Sequence, residues 1–204
     1  MPNKKDKNKL LIGVTGGIGS GKSLACEYFK KLGCKIFYAD DIAKEMYWSN
    51  TKLKKELVKH FGRRILDTYD NISFPKFRKI VFSSDRNQVR VNNVVHPFVI
   101  AEILQRAKDS PGKLVAIEAA LIFESGFNKY LDYTILVSSS AKNRIERVRK
   151  RNKLSVKDIK SIIKLQMPEK EKIKKADFIL KNDSTRQELL KKVKFLFSIL
   201  NNLA

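Results

Sequence analysis

An apolar run, LLIGV, leads into GVTGGIGSGKS at residues 13–23, and SLACEYFKKLG follows with apolar positions at helical spacing, ending at Gly33. The loop satisfies G-x-x-x-x-G-K-S in full, with Gly16, Gly21, Lys22 and Ser23 in the fixed places. Strand, glycine-rich turn and helix in that order leave few folds open, because they place a phosphate on the N-terminus of a helix that leaves a buried strand. Gly16, Gly17, Gly19 and Gly21 permit positive φ and close backbone approach, so that successive N–H groups can turn inward around an anion. Lys22 is then placed for the β- and γ-phosphates of a nucleoside triphosphate, and Ser23 for Mg²⁺. The bland alternative, a glycine turn with no ligand, is disfavoured by the strand and helix on either side.

The rest of the chain alternates in the same way. KIFY reads as a strand running into the helix DDIAKEMYW, and strand character returns in KLVAIEAALIF (113–123), YTILVSS (133–139) and DFILKND. Between 51 and 110 it is nearly absent, and segments such as KLKKELVKHFG repeat their apolar residues with helical period. A basic helical stretch follows residue 140, and the closing helix carries Leu189, Val193, Leu196, Phe197, Leu200 and Leu203 on one face. There are no internal repeats. Alternating strands and helices imply a parallel sheet covered on both sides. The expected organisation is a nucleotide-binding core of residues 9–50, 111–140 and 176–204, an inserted helical substrate-binding region at 51–110, and a helical lid at 141–175.

At 204 residues the chain is one domain with room for such insertions. Its two cysteines, Cys26 and Cys34, suggest neither a disulfide scaffold nor a zinc site, so a reducing compartment is expected. The segment MPNKKDKNK is basic but has no apolar core of a signal peptide, and no apolar window is long enough to span a bilayer; a cytoplasmic protein is expected. The formal charge of +22 suits polyanions, but the lysines are scattered and no nucleic-acid motif stands out. A lysine-rich solvated surface, or an anionic small substrate, accounts for it as well, and no specific nucleic-acid partner is expected.

In a doubly wound sheet, ligand groups gather at the carboxyl ends of the strands. Besides the glycine loop, two acidic places meet that condition. Asp40 and Asp41 end the second strand, beside the phosphate loop, where an acid could accept a hydroxyl proton or orient that hydroxyl toward the γ-phosphate. Either could instead cap the following helix. Glu118 interrupts an apolar strand, where a carboxylate needs a partner; a water-mediated Mg²⁺ contact and a buried salt bridge are both open. In RIERVRKR, Arg144, Arg147 and Arg151 share a helical face, which either presents guanidiniums to the transferred phosphoryl group or is a solvated basic face. His96 precedes Pro97 and is expected in extended backbone at a helix boundary, contacting substrate or capping backbone; His60 in KHFG reads as surface or core.

These residues together resemble dephospho-CoA kinases, nearly end to end. TGGIGSGKS (15–23) is close to that family's loop, and YADDIAKE resembles its acidic segment, with Asp40 on the catalytic aspartate. HFG (60–62), IVF (80–82) and VNNVVHP (91–97) resemble its CoA-binding helical region, and ALIFE (120–124), RIERVRKR (144–151) and ADFILKN (176–182) follow in the family's order. The resemblance implies a P-loop NTPase-type sheet, and transfer of the γ-phosphoryl group of ATP to the ribose 3′-hydroxyl of dephospho-CoA. It implies ATP and Mg²⁺ as cofactors, bound by Gly17, Ile18, Gly19, Ser20, Gly21, Lys22, Ser23 and Leu24, with Ser23 on the metal; the place of Glu118 near it through water is the separate reading of its position given above. Asp40, Lys22 and Arg147 would be catalytic; Asp40, His96, Pro97 and Glu118 would receive dephospho-CoA. Tyr38, Phe74 and Ala120 depart from the family's pattern. The partners implied are the two small-molecule substrates, with no membrane, and a monomer or weak homo-oligomer. The rival readings are another small-molecule or nucleoside kinase and a nucleic-acid switch.

Overall fold

The computed structural model describes residues 9–152 and 155–204. The described residues divide into two compact units, one made of residues 9–38, 107–152 and 155–204 and the other of residues 39–106.

The first unit is built on five parallel strands: β1 (Leu10–Thr15), β2 (Lys35–Tyr38), β3 (Leu114–Glu118), β4 (Tyr133–Ser138) and β5 (Phe178–Lys181). Their spatial order is β2-β3-β1-β4-β5. The continuous apolar runs follow from burial on both faces: Ile12, Val14, Val115, Ile117, Ile135 and Val137 are all fully buried. On one face, α1 (Lys22–Lys31) packs with α9 (Arg186–Leu203), which contributes Leu189, Val193, Leu196 and Leu200 to a single core with Ile12, Val14, Phe29 and Val137. Thr185 starts α9, its hydroxyl accepting from the Glu188 N–H, as an N-cap should. The stretch after β4 forms α6 (Ala141–Asn152), α7 (Val156–Lys164) and α8 (Glu169–Lys175).

The strand order corrects one expectation. The second strand does not lie beside the one that feeds the glycine loop, because β3 is inserted between them; Glu118 pairs with Val14 on one side and Tyr38 on the other. The chain leaves β1 toward one edge and later returns to β4 on its other side, so the order reverses at β1 and a ligand crevice is expected at its carboxyl end. That end is where the glycine loop lies. β3 is also shorter than its apolar run, stopping at Glu118 and passing into turns.

The second unit is helical: α2 (Ala39–Ser49), α3 (Thr51–Phe61), a 3₁₀ turn (Arg63–Ile65), α4 (Phe74–Val81) and most of α5 (Asp85–Asp109). It takes in α2, which the sequence groups with the sheet. Asn50 caps α3 through the Leu53 N–H (2.9 Å). Edge-on contacts of Tyr47 with Phe74 (5.6 Å) and Phe77 (5.5 Å), and of Phe77 with Phe61 (6.0 Å), knit α2, α3 and α4. Two local expectations fail here. Asp40 and Asp41 lie inside the first turn of α2, which begins at Ala39, so neither is its N-cap. His96 and Pro97 lie well inside α5 rather than at its boundary. A proline there removes one backbone hydrogen bond, a loss of about 3 kcal/mol that buried Val91, Val94, Val95, Val99 and Ile103 offset across 25 residues. Among the described residues, no helix is long and apolar enough to cross a membrane.

Candidate active site

The glycine loop wraps from Thr15 at the end of β1 to Lys22 at the start of α1. Gly21, the residue before α1, is left-handed (φ 101°, ψ 23°), and a Cβ there would collide with the Asn182 side-chain amide. Gly17 is glycine for a different reason: its space is filled by the Arg144 guanidinium. No side chain caps the N-terminus of α1, and its first turn holds no acid. The first-turn N–H groups of a helix have no intrahelical acceptor, so this end is fitted to an anion.

Three predicted residues converge beyond that end. The Ser23 hydroxyl donates to Glu118 Oε2 (3.3 Å), and Lys22 Nζ lies 3.9 Å from Glu118 Oε1. Both Lys22 (12 % exposed) and Glu118 (15 %) are largely withdrawn from water, which strengthens their attraction. Glu118 thus has the salt-bridge partner its position in an apolar strand demands, and it also faces the hydroxyl predicted for Mg²⁺. Burial first, then the Glu118 carboxylate, pushes the Cys26 thiol well above its ordinary range, against the opposing charge of Lys22. Cys34 is pushed up to about 12 by burial. Both cysteines are free.

The loop is gripped from outside by residues of α6 and the segment after α7. Arg144, only 6 % exposed, donates from Nε to the Ile18 carbonyl (3.0 Å) and from Nη1 to Glu169 (3.0 Å). The Ile18 N–H donates to Gln166 Oε1 (3.1 Å), so both polar groups of that loop residue are held. Arg147 donates to the carbonyls of Ser20 (3.4 Å) and Asn182 (2.7 Å) and to Ser139 Oγ (3.2 Å). Asn182 closes the ring, its Nδ2 donating to the Ser20 carbonyl (2.7 Å). A solvated basic face is therefore ruled out for Arg144 and Arg147, whereas Arg151 is exposed. Behind Gln166, the buried Lys172 donates to the Ala120 carbonyl (2.8 Å) and pairs with Glu124 (2.9 Å), which also accepts from the Met167 N–H (2.8 Å).

Asp40, His96 and Pro97 belong to the helical unit. Asp40 is exposed on the first turn of α2. Its charge, after burial, helps push the Tyr47 hydroxyl up to about 12. Sequence reasoning missed Gln166, Glu169, Lys172 and Asn182. Only Asn182 carried a signal, at the end of ADFILKN; the others stand among like residues in a basic stretch. Among the described residues, no cluster of three or more His, Cys, Asp or Glu side chains is placed to hold a metal.

The sequence profile of dephospho-CoA kinase matches residues 10–188. A dephospho-CoA kinase from Fusobacterium nucleatum is 35 % identical over 184 residues, which cover 90 % of this chain and 95 % of that one. The crystal structure of TT1252 from Thermus thermophilus superposes with a TM-score of 0.79 at 29 % identity, covering 96 % of this chain and 98 % of the other. Dephospho-CoA kinase from Campylobacter jejuni gives 0.65 at 30 % identity, covering 92 % and 97 %. A profile that spans loop, helical unit and the clamp on the loop leaves one assignment: the chain belongs to the dephospho-CoA kinase family.

Proposed function

We propose that this chain transfers the γ-phosphoryl group of ATP to the ribose 3′-hydroxyl of dephospho-CoA, giving CoA and ADP, the last step of CoA biosynthesis. The observation that carries this reading is the meeting of Lys22, Ser23 and Glu118 beyond an uncapped helix N-terminus, in a chain matched by the family from 10 to 188. The loop from Gly17 to Leu24 cradles the β- and γ-phosphates, with Ile18 lending its shape rather than its N–H, which is held by Gln166, and the Lys22 ammonium neutralises charge on them. The oxygen donors Ser23 and Glu118 suit Mg²⁺, Ser23 directly and Glu118 through a water. Held there, that ion would supply positive charge to offset the charge of the phosphates.

Asp40 orients the acceptor hydroxyl and takes its proton. The ribose oxygen bonds to the γ-phosphorus as the bond from that phosphorus to the β–γ bridging oxygen breaks, and the electron pair leaves with ADP. Arg147, expected as a catalytic residue acting from the lid, is proposed instead as a positioning residue, because its guanidinium sits on two carbonyls, one of them in the loop, and so holds the cradle in shape. His96 and Pro97 serve the acceptor side, within α5. Within the 141–175 lid, α6 and the segment after α7 grip the loop through Arg144 and Gln166, while α7 has Ile159 as its one fully buried residue. The two free thiols favour a reducing compartment, and we place the reaction in the cytoplasm, carried out by a monomer or weak homo-oligomer.

The test is ADP release from ATP and Mg²⁺ with dephospho-CoA, with CoA identified as the product, beside shikimate, nucleosides, nucleoside monophosphates and RNA. Turnover with dephospho-CoA alone is expected. Activity with another acceptor only would keep the site and overturn the substrate, and hydrolysis stimulated by RNA alone would overturn the kinase reading.

A further inference from the structure

On α5, Arg86, Arg90 and Asn93 stand at i, i+4 and i+7, one face of the helix. With His60 of α3, Val89 and Val94, they line an open pocket of about 600 Å³ on the surface of the helical unit. That is the size of a small-molecule site. The same helix shows what a structural arginine looks like here: Arg106 is locked between Glu45 (2.6 Å) and Glu102 (2.7 Å). Arg86 and Arg90 have no such use. Both are exposed, and among the described residues neither has a carboxylate or carbonyl partner. The Arg90 guanidinium lies 5.3 Å over the Phe61 ring, a contact that sets its plane without consuming its N–H donors. The acid beside the wall is Glu56, 3.8 Å from His60 Nε2.

Two guanidiniums with unspent donors, an imidazole, a carboxamide and two valines describe a ligand that is doubly anionic at one point and apolar next to it. The acceptor assigned above has that chemistry: a diphosphate joins its adenosine to the pantetheine arm. We propose that this cavity seats the diphosphate of dephospho-CoA, with Arg86 and Arg90 forking its oxygens, Asn93 donating to them, and the valines lying against the first atoms of the arm. The inference rests on the proposed acceptor and adds where that acceptor is held. Asp40 belongs to the same compact unit, so grip and base are carried by one body.

The experiment is steady-state kinetics of the full chain and of Arg86→Gln, Arg90→Gln and the double variant, with Arg86→Lys/Arg90→Lys as the charge-retaining control. Exposed arginines on a helix tolerate glutamine, and circular dichroism checks that the fold is kept. Each loss of a charge-assisted contact is expected to raise KM for dephospho-CoA about tenfold, and the double variant about a hundredfold. KM for ATP and kcat should stay within about threefold, and the lysine variant should recover part of the loss. An unchanged KM for dephospho-CoA in the double variant overturns the proposal. So does an equal fall in every parameter, which would mark a structural role, or an unchanged KM with lost RNA binding, which would make the face a polynucleotide site. Absence of wild-type turnover with dephospho-CoA is a separate outcome: it refutes the acceptor itself, before any variant is compared.

Discussion

Arg144→Met tests whether the basic stretch acts on the phosphate loop from within. Methionine keeps most of the apolar stem and removes the guanidinium. Two bonds are lost, to the Ile18 carbonyl (3.0 Å) and to Glu169 (3.0 Å), at a side chain 7 % exposed. Glu169 is itself 30 % exposed and regains water, so only part of a buried pair's cost applies to it. The Ile18 carbonyl loses a charge-assisted partner inside the protein, which carries most of the remainder. The sum is about 3 kcal/mol, or roughly 6–12 °C in Tm for a chain of this length.

The assay is thermal unfolding by circular dichroism of Arg144→Met, Glu169→Gln and the double variant. If the pair accounts for the loss, the double variant should be more stable than the sum of the single effects by about 1–3 kcal/mol. KM for ATP should rise in Arg144→Met as well, because the peptide of Ile18 is then held only by Gln166. A Tm of Arg144→Met within about 2 °C of wild type would refute the claim that Arg144 is part of the loop's scaffold, and strict additivity in the cycle would refute the share given to Glu169.

Three further outcomes follow from the structure. Asp40→Asn should lower kcat by about 10²–10⁴ while leaving KM for ATP within about twofold, since Asp40 is assigned to the acceptor hydroxyl and not to the loop; near-normal turnover, or collapse of ATP binding, would remove that role. Asp183 accepts from the Ser140 N–H (2.7 Å), Ser139 Oγ (2.9 Å) and Asn143 Nδ2 (3.0 Å), and the Ser140 bond first holds its carboxyl below the ordinary 3.8. A depressed folded value stabilises above 3.8 and is lost as pH falls below it, so the Tm difference between wild type and Asp183→Ala should shrink as pH drops from about 5 to 3, and a constant difference would contradict the assignment. Cys26 and Cys34 are buried with raised thiol values, Cys34 to about 12, so iodoacetamide at pH 8 should add nothing to the native chain and two groups in denaturant, as read by intact mass.

What the sequence makes legible is whatever depends on neighbours along the chain. The loop is legible because its chemistry is a fixed spacing, and Lys22, Ser23 and Glu118 are indeed brought together. The central strands β1, β3 and β4 are legible because burial on both faces writes them as unbroken apolar runs, and the edge strands β2 and β5 keep a shorter run of the same kind. Their lateral order is not, since nothing local says that β3 separates β2 from β1, and the acid one strand from the loop is therefore Glu118. Pro97 misleads for a related reason: the local preference against helix before proline is real, but twenty-five residues of α5 override it. The clamp on the loop is hidden most deeply. Gln166 meets Ile18 across 148 residues, Arg144 meets the same residue across 126, and Lys172 meets Ala120 across 52. In QMPEKEKIKK no property of Lys172 distinguishes it from its solvated neighbours; only the carbonyl and carboxylate waiting at the end of β3 do so. Arg144, Arg147 and Lys172 are spent inside the protein on the loop and its supports, while Arg86 and Arg90, unremarkable in sequence, are exposed and line a cavity of the helical unit.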